Sequence, residues 1–252
     1  MTVTTADSGA ARTITWDRQA RRNAWDLATM TAIADAVEAA GAEPGVRCVV
    51  LRGAGEHFSA GDDLHAAIEA DAQAWAATIE GFQRLTRVVL ASPVPAIAAV
   101  DGVCVGGALE FAASCDLRLC TNRVRLICPE VGIGLTASNA GTLLLPEVVG
   151  ETAARELLLG GEERDAGWAR DRGFATELVA PAGLDARVAH WAGVFSRNSR
   201  AAVAATKAML NQRFGALLEQ AMERETHHCV RLFEESDARK ALGGFAERRA
   251  ST

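Results

Sequence analysis

Two glycine-containing turns and two glutamates are the groups in this chain best suited to chemistry. The first turn is Phe58-Ser59-Ala60-Gly61-Asp62-Asp63-Leu64, and the second is Asp101-Gly102-Val103-Cys104-Val105-Gly106-Gly107-Ala108-Leu109-Glu110. Glu130 follows in Cys128-Pro129-Glu130-Val131-Gly132. A glycine-rich turn that runs into an apolar helix leaves backbone N–H groups bare at its start, where the helix dipole adds positive potential. Two such turns can direct two donors at one carbonyl oxygen, which is the composition of an oxyanion hole. Glu110 and Glu130 would then supply acid–base chemistry. Each feature also has a plainer reading. The first turn could be an ordinary strand-to-helix connection capped by Asp62 or Asp63. Gly106-Gly107 could serve a tight helix–strand contact, and either glutamate could sit in water. All four on one chain favour the chemical reading.

The elements that must position these groups follow from periodicity. Arg12 to Trp16 alternates polar and apolar and reads as an edge strand. Asp26 to Ala40 reads as a helix capped by Asp26, with Leu27, Met30, Ile33, Ala34 and Val37 on one face. Val46 to Leu51 is a buried strand ending at Gly53, so the loop to Asp63 lies at a strand C-terminus, where open α/β sheets bind ligands. Asp71 to Leu90 reads as a long helix stopped by Ser92-Pro93-Val94-Pro95. Ala96 to Val100 is a second buried strand, followed by a short helix from about Gly106 to Ala113. Cys115 to Cys120 and Val124 to Cys128 are further strands, and one more is expected near Ala175 to Val179. This alternation predicts an α/β fold with mostly parallel pairing. From about Ala182 the chain reads as helix. There Leu217, Leu218, Met222, Val230, Leu232 and Phe233 can cover a core or meet a partner.

Composition narrows the alternatives. The chain has 252 residues, 49% of them apolar and 23% charged, which suits one large folded domain or a domain with a helical appendage. Its net charge of −6 disfavours a nucleic-acid or anionic-membrane partner, and neither is expected. Lysine occurs only at Lys207 and Lys240, and tyrosine is absent, so no mechanism rests on a phenol. The six cysteines (Cys48, Cys104, Cys115, Cys120, Cys128 and Cys229) form no C-x-x-C pair and read as free buried thiols in a reducing compartment. The N-terminus has no signal-peptide pattern, and the longest apolar run is broken by Pro93 and Pro95. A cytoplasmic protein is expected. There is no G-x-G-x-x-G after the first strand, no Walker A sequence, no G-x-S-x-G and no H-E-x-x-H.

The two turns with Glu110 and Glu130 resemble the enoyl-CoA hydratase/isomerase (crotonase) family over nearly the whole chain. The resemblance implies a crotonase-like spiral of repeated β-β-α units with a C-terminal helical region. Residues 1–190 would form the core, and 191–252 would serve oligomerisation and closure of the CoA pocket. Arg18 to Ala24 looks like the family's first CoA-contacting turn, which places Arg22 and Ala24 against the substrate. Ala60, Gly61, Asp63, Leu64 and Gly106 fall in its signature loops, with the N–H groups of Asp62 and Gly107 at the two oxyanion positions. Phe245 and Arg248 fall in the tail that usually helps hold the CoA adenine.

The implied reaction is reversible addition of water to a trans-2-enoyl-CoA. Glu130 exchanges the α-proton and Glu110 orients and helps activate the water. Coenzyme A enters as the carrier part of the substrate, with no permanently bound cofactor and no metal. A homotrimer or dimer of trimers is implied. Other reactions of the family (isomerisation, or dehydration of a hydroxyacyl-CoA) and a non-catalytic acyl-CoA-binding subunit are the rivals. An acidic residue at Asp62 departs from the family's frequent alanine. Leu135-Thr136-Ala137-Ser138-Asn139 is more polar than usual there; Ser138 and Asn139 could recognise a functionalised acyl chain or cap the helix that follows, and the cap is the favoured reading. His57 reads as solvated or near a CoA phosphate, and His65 carries no assignment. His227 and His228 are consecutive on a helix, so no metal site is expected from them.

Overall fold

The computed structural model describes residues 2–235, with Leu64 and His65 described by their backbone alone. The strands are β1 (Thr2–Ser8), β2 (Ala11–Asp17), β3 (Cys48–Gly53), β4 (Ala96–Val100), β5 (Val103–Val105), β6 (Leu117–Thr121), β7 (Arg125–Ile127) and β8 (Glu177–Val179). The larger sheet runs β1-β2-β3-β4-β6-β8, antiparallel only between β1 and β2. A small parallel sheet pairs β5 with β7, and an isolated bridge joins Ser59 to Cys104 beside it.

The helices are α1 (Leu27–Ala42), α2 (Leu64–Glu69), α3 (Ala72–Ala91), α4 (Gly107–Ser114), α5 (Gly141–Val149), α6 (Glu151–Gly160), α7 (Ala166–Asp171), α8 (Leu184–Arg197), α9 (Arg200–Gln212) and α10 (Gly215–Glu234). Three times the chain leaves the large sheet, touches the small one and enters a helix. It does so from β3 through Ser59 to α2, from β4 through β5 to α4, and from β6 through β7 to α5. That repetition is the expected spiral of β-β-α units, and it brings the first two helix starts side by side.

Local chemistry explains the element ends. The Asp26 carboxylate accepts the Thr29 N–H at 2.9 Å and opens α1, and Asp71 accepts the Ala74 N–H at 2.8 Å and opens α3. Along α1, Met30, Ile33, Ala34 and Val37 are buried, and each large side chain contributes roughly 1.5–3 kcal/mol. Leu27 departs from the expected face and is 43% exposed. Beside it, Trp16, Trp25, Phe58, Phe82 and Phe111 form a chain of mostly edge-to-face rings with successive centroids 5.0–5.7 Å apart. The Trp16 indole N–H donates to the Phe58 carbonyl at 2.7 Å, so this cluster also anchors the first glycine turn.

One strand assignment needs correcting. β2 is not an edge, because β1 pairs along its full length on one side and β3 on the other. β1 is polar and almost wholly exposed, so it carries no hydrophobic period to betray it. The opposite face of the sheet, with Cys48, Val50, Ile97 and Leu119, is covered by α8 through Leu184, Val188 and Trp191. The expected boundary at residues 190–191 falls inside α8. All six cysteines are free and buried. Among the described residues no helix is long and apolar enough to cross a membrane.

Candidate active site

The first turn is stitched on both sides. Phe58 N–H donates to Asp101 O at 2.7 Å, Ser59 N–H to Val103 O at 3.1 Å, Ala60 N–H to Arg22 O at 2.9 Å and Asp63 N–H to Trp25 O at 2.9 Å. Gly61 N–H donates to Ser59 Oγ at 3.1 Å. Among these successive groups only the Asp62 N–H donates to no other residue. Gly61 has φ +81°, and a Cβ there would meet Val105 O at 2.5 Å, so the two turns can approach this closely only with glycine.

The second turn is built the same way. Gly106 N–H donates to Ile127 O at 2.8 Å, and Gly106 O receives the N–H groups of Leu109 and Glu110. The Gly107 N–H, first in α4, donates to nothing among the described residues. A Cβ on Gly107 would lie 2.5 Å from the Phe82 ring, and one on Gly106 (φ +57°) would lie 2.6 Å from Glu130 Oε1. All eight residues of α4 are buried, so its bare N-terminus is shielded from water.

The carboxyls of Glu130, Glu110, Asp62 and Glu225 gather here. Glu130 follows β7 at the start of a 3₁₀ turn, Glu130–Ile133. Burial, joined by like-charge repulsion from Asp62 and Glu225, pushes it up to about 7. Glu110 has no exposure, and burial followed by Glu225 and Glu130 holds it well above the ordinary range. Its Oε2 accepts the N–H groups of Asn139 at 2.8 Å and Gly141 at 3.1 Å, whereas Oε1 is buried without a partner. The Asp62 carboxyl is pushed up to about 7 by burial and by Asp63, and its Oδ1 is also unpartnered. Glu130 is one of the like charges that raise Glu110, and carboxyls that interact in this way lose their protons as a pair.

A cavity of about 40 Å³ opens between the turns. It is lined by Ala60, Gly61, Asp62, Gly106 and Glu130 from the turns, together with Trp75, Ile133, Leu135, Thr136, Ser138 and Cys229. Glu110 does not line the cavity, and its carboxyl packs against Gly141. Among the described residues no group of three or more His, Cys, Asp and Glu side chains is arranged to hold a metal.

The remaining sequence-predicted residues fall as follows. Arg22 (φ +50°) is half-buried and Ala24 is buried. Their turn is tied to the first loop by Asn23, whose amide donates to Ala54 O at 2.8 Å and His57 O at 2.7 Å. Asp63 is turned toward that segment, ion-paired with Arg18 at 2.6 Å and Arg21 at 3.4 Å. Leu64 opens α2. Phe245 and Arg248 lie outside the described residues. His57 Nδ1 accepts the Val103 N–H at 3.4 Å, and burial and Arg22 lower its basicity. The rings of His227 and His228 meet edge to face at 5.3 Å.

Ser138 and Asn139 do not cap α5. Its N-cap is Ala140, with no side-chain cap. Glu110 and Glu225 instead accept the N–H groups of residues 139–142. Sequence reasoning missed Glu225, Trp75 and Cys229. A signal for Glu225 existed: Met222, Glu225, Cys229 and Phe233 follow one helical stripe, and a carboxylate on an otherwise apolar stripe needs a partner.

Comparison with known proteins finds relatives over most of the chain. The family profile described as enoyl-CoA hydratase/isomerase matches residues 7–252. The chain is 31% identical to a crotonyl-CoA hydratase of Syntrophomonas wolfei, over 92% of this chain and 90% of that protein. It is 32% identical to a short-chain-enoyl-CoA hydratase of Clostridium acetobutylicum, over 81% of this chain and 78% of that protein. Among solved structures, an enoyl-CoA hydratase/isomerase from Xanthobacter autotrophicus superposes with TM-score 0.84 at 31% identity, covering 98% of this chain and 97% of that one.

Proposed function

The chain belongs to the enoyl-CoA hydratase/isomerase family, and from that premise we propose that it adds water reversibly across the double bond of a trans-2-enoyl-CoA. The observation that carries this reading is the buried Glu110 and the half-buried Glu130, close enough for Glu130 to raise Glu110, beside two N–H groups that donate to no other described residue. The thioester oxygen accepts hydrogen bonds from the Asp62 and Gly107 N–H groups. These donors are preorganised and strengthen as the enolate forms, which typically supplies about 2.7–4 kcal/mol per donor. Water oxygen bonds to the β-carbon, one water proton passes to the carboxylate pair, and Glu130 delivers a proton to the α-carbon. The reverse order eliminates water.

The arginine-rich turn at Arg18–Ala24 and the tail residues Phe245 and Arg248 hold the CoA moiety in this reading. Exposed Met209, Leu210 and Leu217 on α9 and α10 suit a homotrimer or dimer of trimers in the cytoplasm.

One observation favours a second reaction of the same family. Glu130 lines the cavity and Glu110 does not, and double-bond isomerisation needs only one base that moves a proton between two carbons. Turnover in ¹⁸O-labelled water separates the two. Hydration places labelled oxygen on the β-carbon, whereas isomerisation gives a product free of label.

A further inference from the structure

Glu225 lies on the C-terminal helix, 85 residues in sequence from the turn that it binds. Its Oε2 accepts the Ala140 N–H at 2.6 Å, and its Oε1 accepts the Thr142 N–H at 2.9 Å and the Thr142 hydroxyl at 2.5 Å. Glu110 accepts the alternate N–H groups, those of Asn139 and Gly141. Two carboxylates from different helices therefore share four consecutive donors at the start of α5. Ala140 between them is fully buried with φ +57°, a conformation that a non-glycine residue keeps only when its surroundings hold it there.

The same helix carries Cys229 into the cavity wall and stacks Phe233 on Trp75, with centroids 4.9 Å apart. Gln83 on α3 fastens the junction, donating to Ser138 O at 2.9 Å, Met222 O at 3.1 Å and Thr226 Oγ1 at 2.9 Å.

We propose that Glu225 is a positioning residue for the catalytic pair: it pins the 139–142 turn against Glu110, so that catalytic competence depends on docking of α10. The proposal rests on the reading of Glu110 and Glu130 given above. With Glu225 in place, Oε2 of Glu110 is engaged and Oε1 is the oxygen left to act. The charged groups facing Glu225 are both acidic, Glu110 from α4 and Glu130 from the turn after β7. The α5 side contributes the N–H groups of Ala140 and Thr142 and the Thr142 hydroxyl. Removing the Glu225 charge therefore makes the pair easier to ionise.

The test compares the full-length wild type with Glu225→Gln and Thr142→Val, using the enoyl-CoA that the wild type turns over best. An amide presents one acceptor where three donors converge and loses the charge. For Glu225→Gln we expect kcat to fall roughly 10- to 100-fold through misplacement of Glu110. KM should stay within about threefold, since the hydrogen bonds of Glu225 go to the 139–142 turn and not to the Arg18–Ala24 turn. The acidic limb of the kcat–pH profile should move to lower pH. Thr142→Val removes one donor and keeps the charge, so kcat should fall less and the pH limb should stay in place. A folded Glu225→Gln protein with wild-type kcat and an unmoved limb overturns the proposal. If that variant does not fold, Thr142→Val decides, and wild-type kcat there overturns it. Wild-type protein inactive on every enoyl-CoA would instead refute the underlying reading of the site.

Discussion

A side-chain carbon on Gly106 would lie 2.6 Å from Oε1 of Glu130, so the absence of that carbon is what lets the carboxyl stand against the second turn. The contact joins the two halves of the proposed chemistry, a bare N–H at the start of α4 and the group that moves the proton. Gly106→Ala should displace Glu130 and strain a backbone at φ +57°. Such strain costs about 1–3 kcal/mol, and displacement of the carboxyl should lower kcat about 100-fold. Steady-state kinetics beside a thermal melt checks this. Wild-type kcat in a folded variant would show that the contact is incidental.

Glu110→Gln and Glu130→Gln should each keep CoA-thioester binding and lose most turnover, roughly 10²- to 10⁴-fold. Full hydratase activity in either variant would falsify that residue's acid–base role.

Stability should depend on Glu130 in a defined direction. Its carboxyl is raised from an ordinary 4.5 to about 7 in the folded protein. The folded state therefore holds the proton more tightly than the unfolded chain does. The stability that the protonated form confers is complete below about pH 4.5 and is lost as pH rises through 7. Glu130→Gln should accordingly be more stable than the wild type at pH 8, by on the order of 2 kcal/mol, and nearly equal to it at pH 4.5. Denaturant titrations at the two pH values test the sign.

Asp62 should act through its backbone and not its carboxyl. Asp62→Ala keeps the N–H and should retain activity within about tenfold. The wild-type carboxyl ionises near pH 7 and then sets a negative charge beside the developing enolate. Wild-type turnover should therefore decline above neutrality, and Asp62→Ala should flatten that decline. A large loss at neutral pH would show that the side chain itself takes part.

The small cavity of about 40 Å³, with Trp75 and Leu135 in its lining, should favour short acyl chains. A four-carbon enoyl-CoA should be turned over faster than a ten-carbon one, and Leu135→Ala should narrow the gap. Equal kcat/KM across the series would contradict a small pocket.

The sequence was most informative where function and local structure coincide. Asp26 and Asp71 announced two helices by capping chemistry, and Ala96–Val100 announced a buried strand by its unbroken apolar run. Gly61, Gly106 and Gly107 marked the two turns because close approach excludes a side chain. Long-range relationships were hidden. The polar β1 has no hydrophobic signature, and its pairing with β2 is visible only in three dimensions. Ser138 and Asn139 looked like local caps, yet the acceptors came from α4 and α10. The like-charge repulsion that raises Glu130 reflects Asp62 and Glu225, which are distant in sequence and near in space.

The most direct test of the central claim is the absorbance of a conjugated enoyl thioester, followed with purified protein and crotonyl-CoA, with the product identified by mass. Loss of absorbance with a product one water heavier is the predicted result. Unchanged absorbance while the thioester still binds, or a product of unaltered mass, would contradict hydration as the reaction of this site.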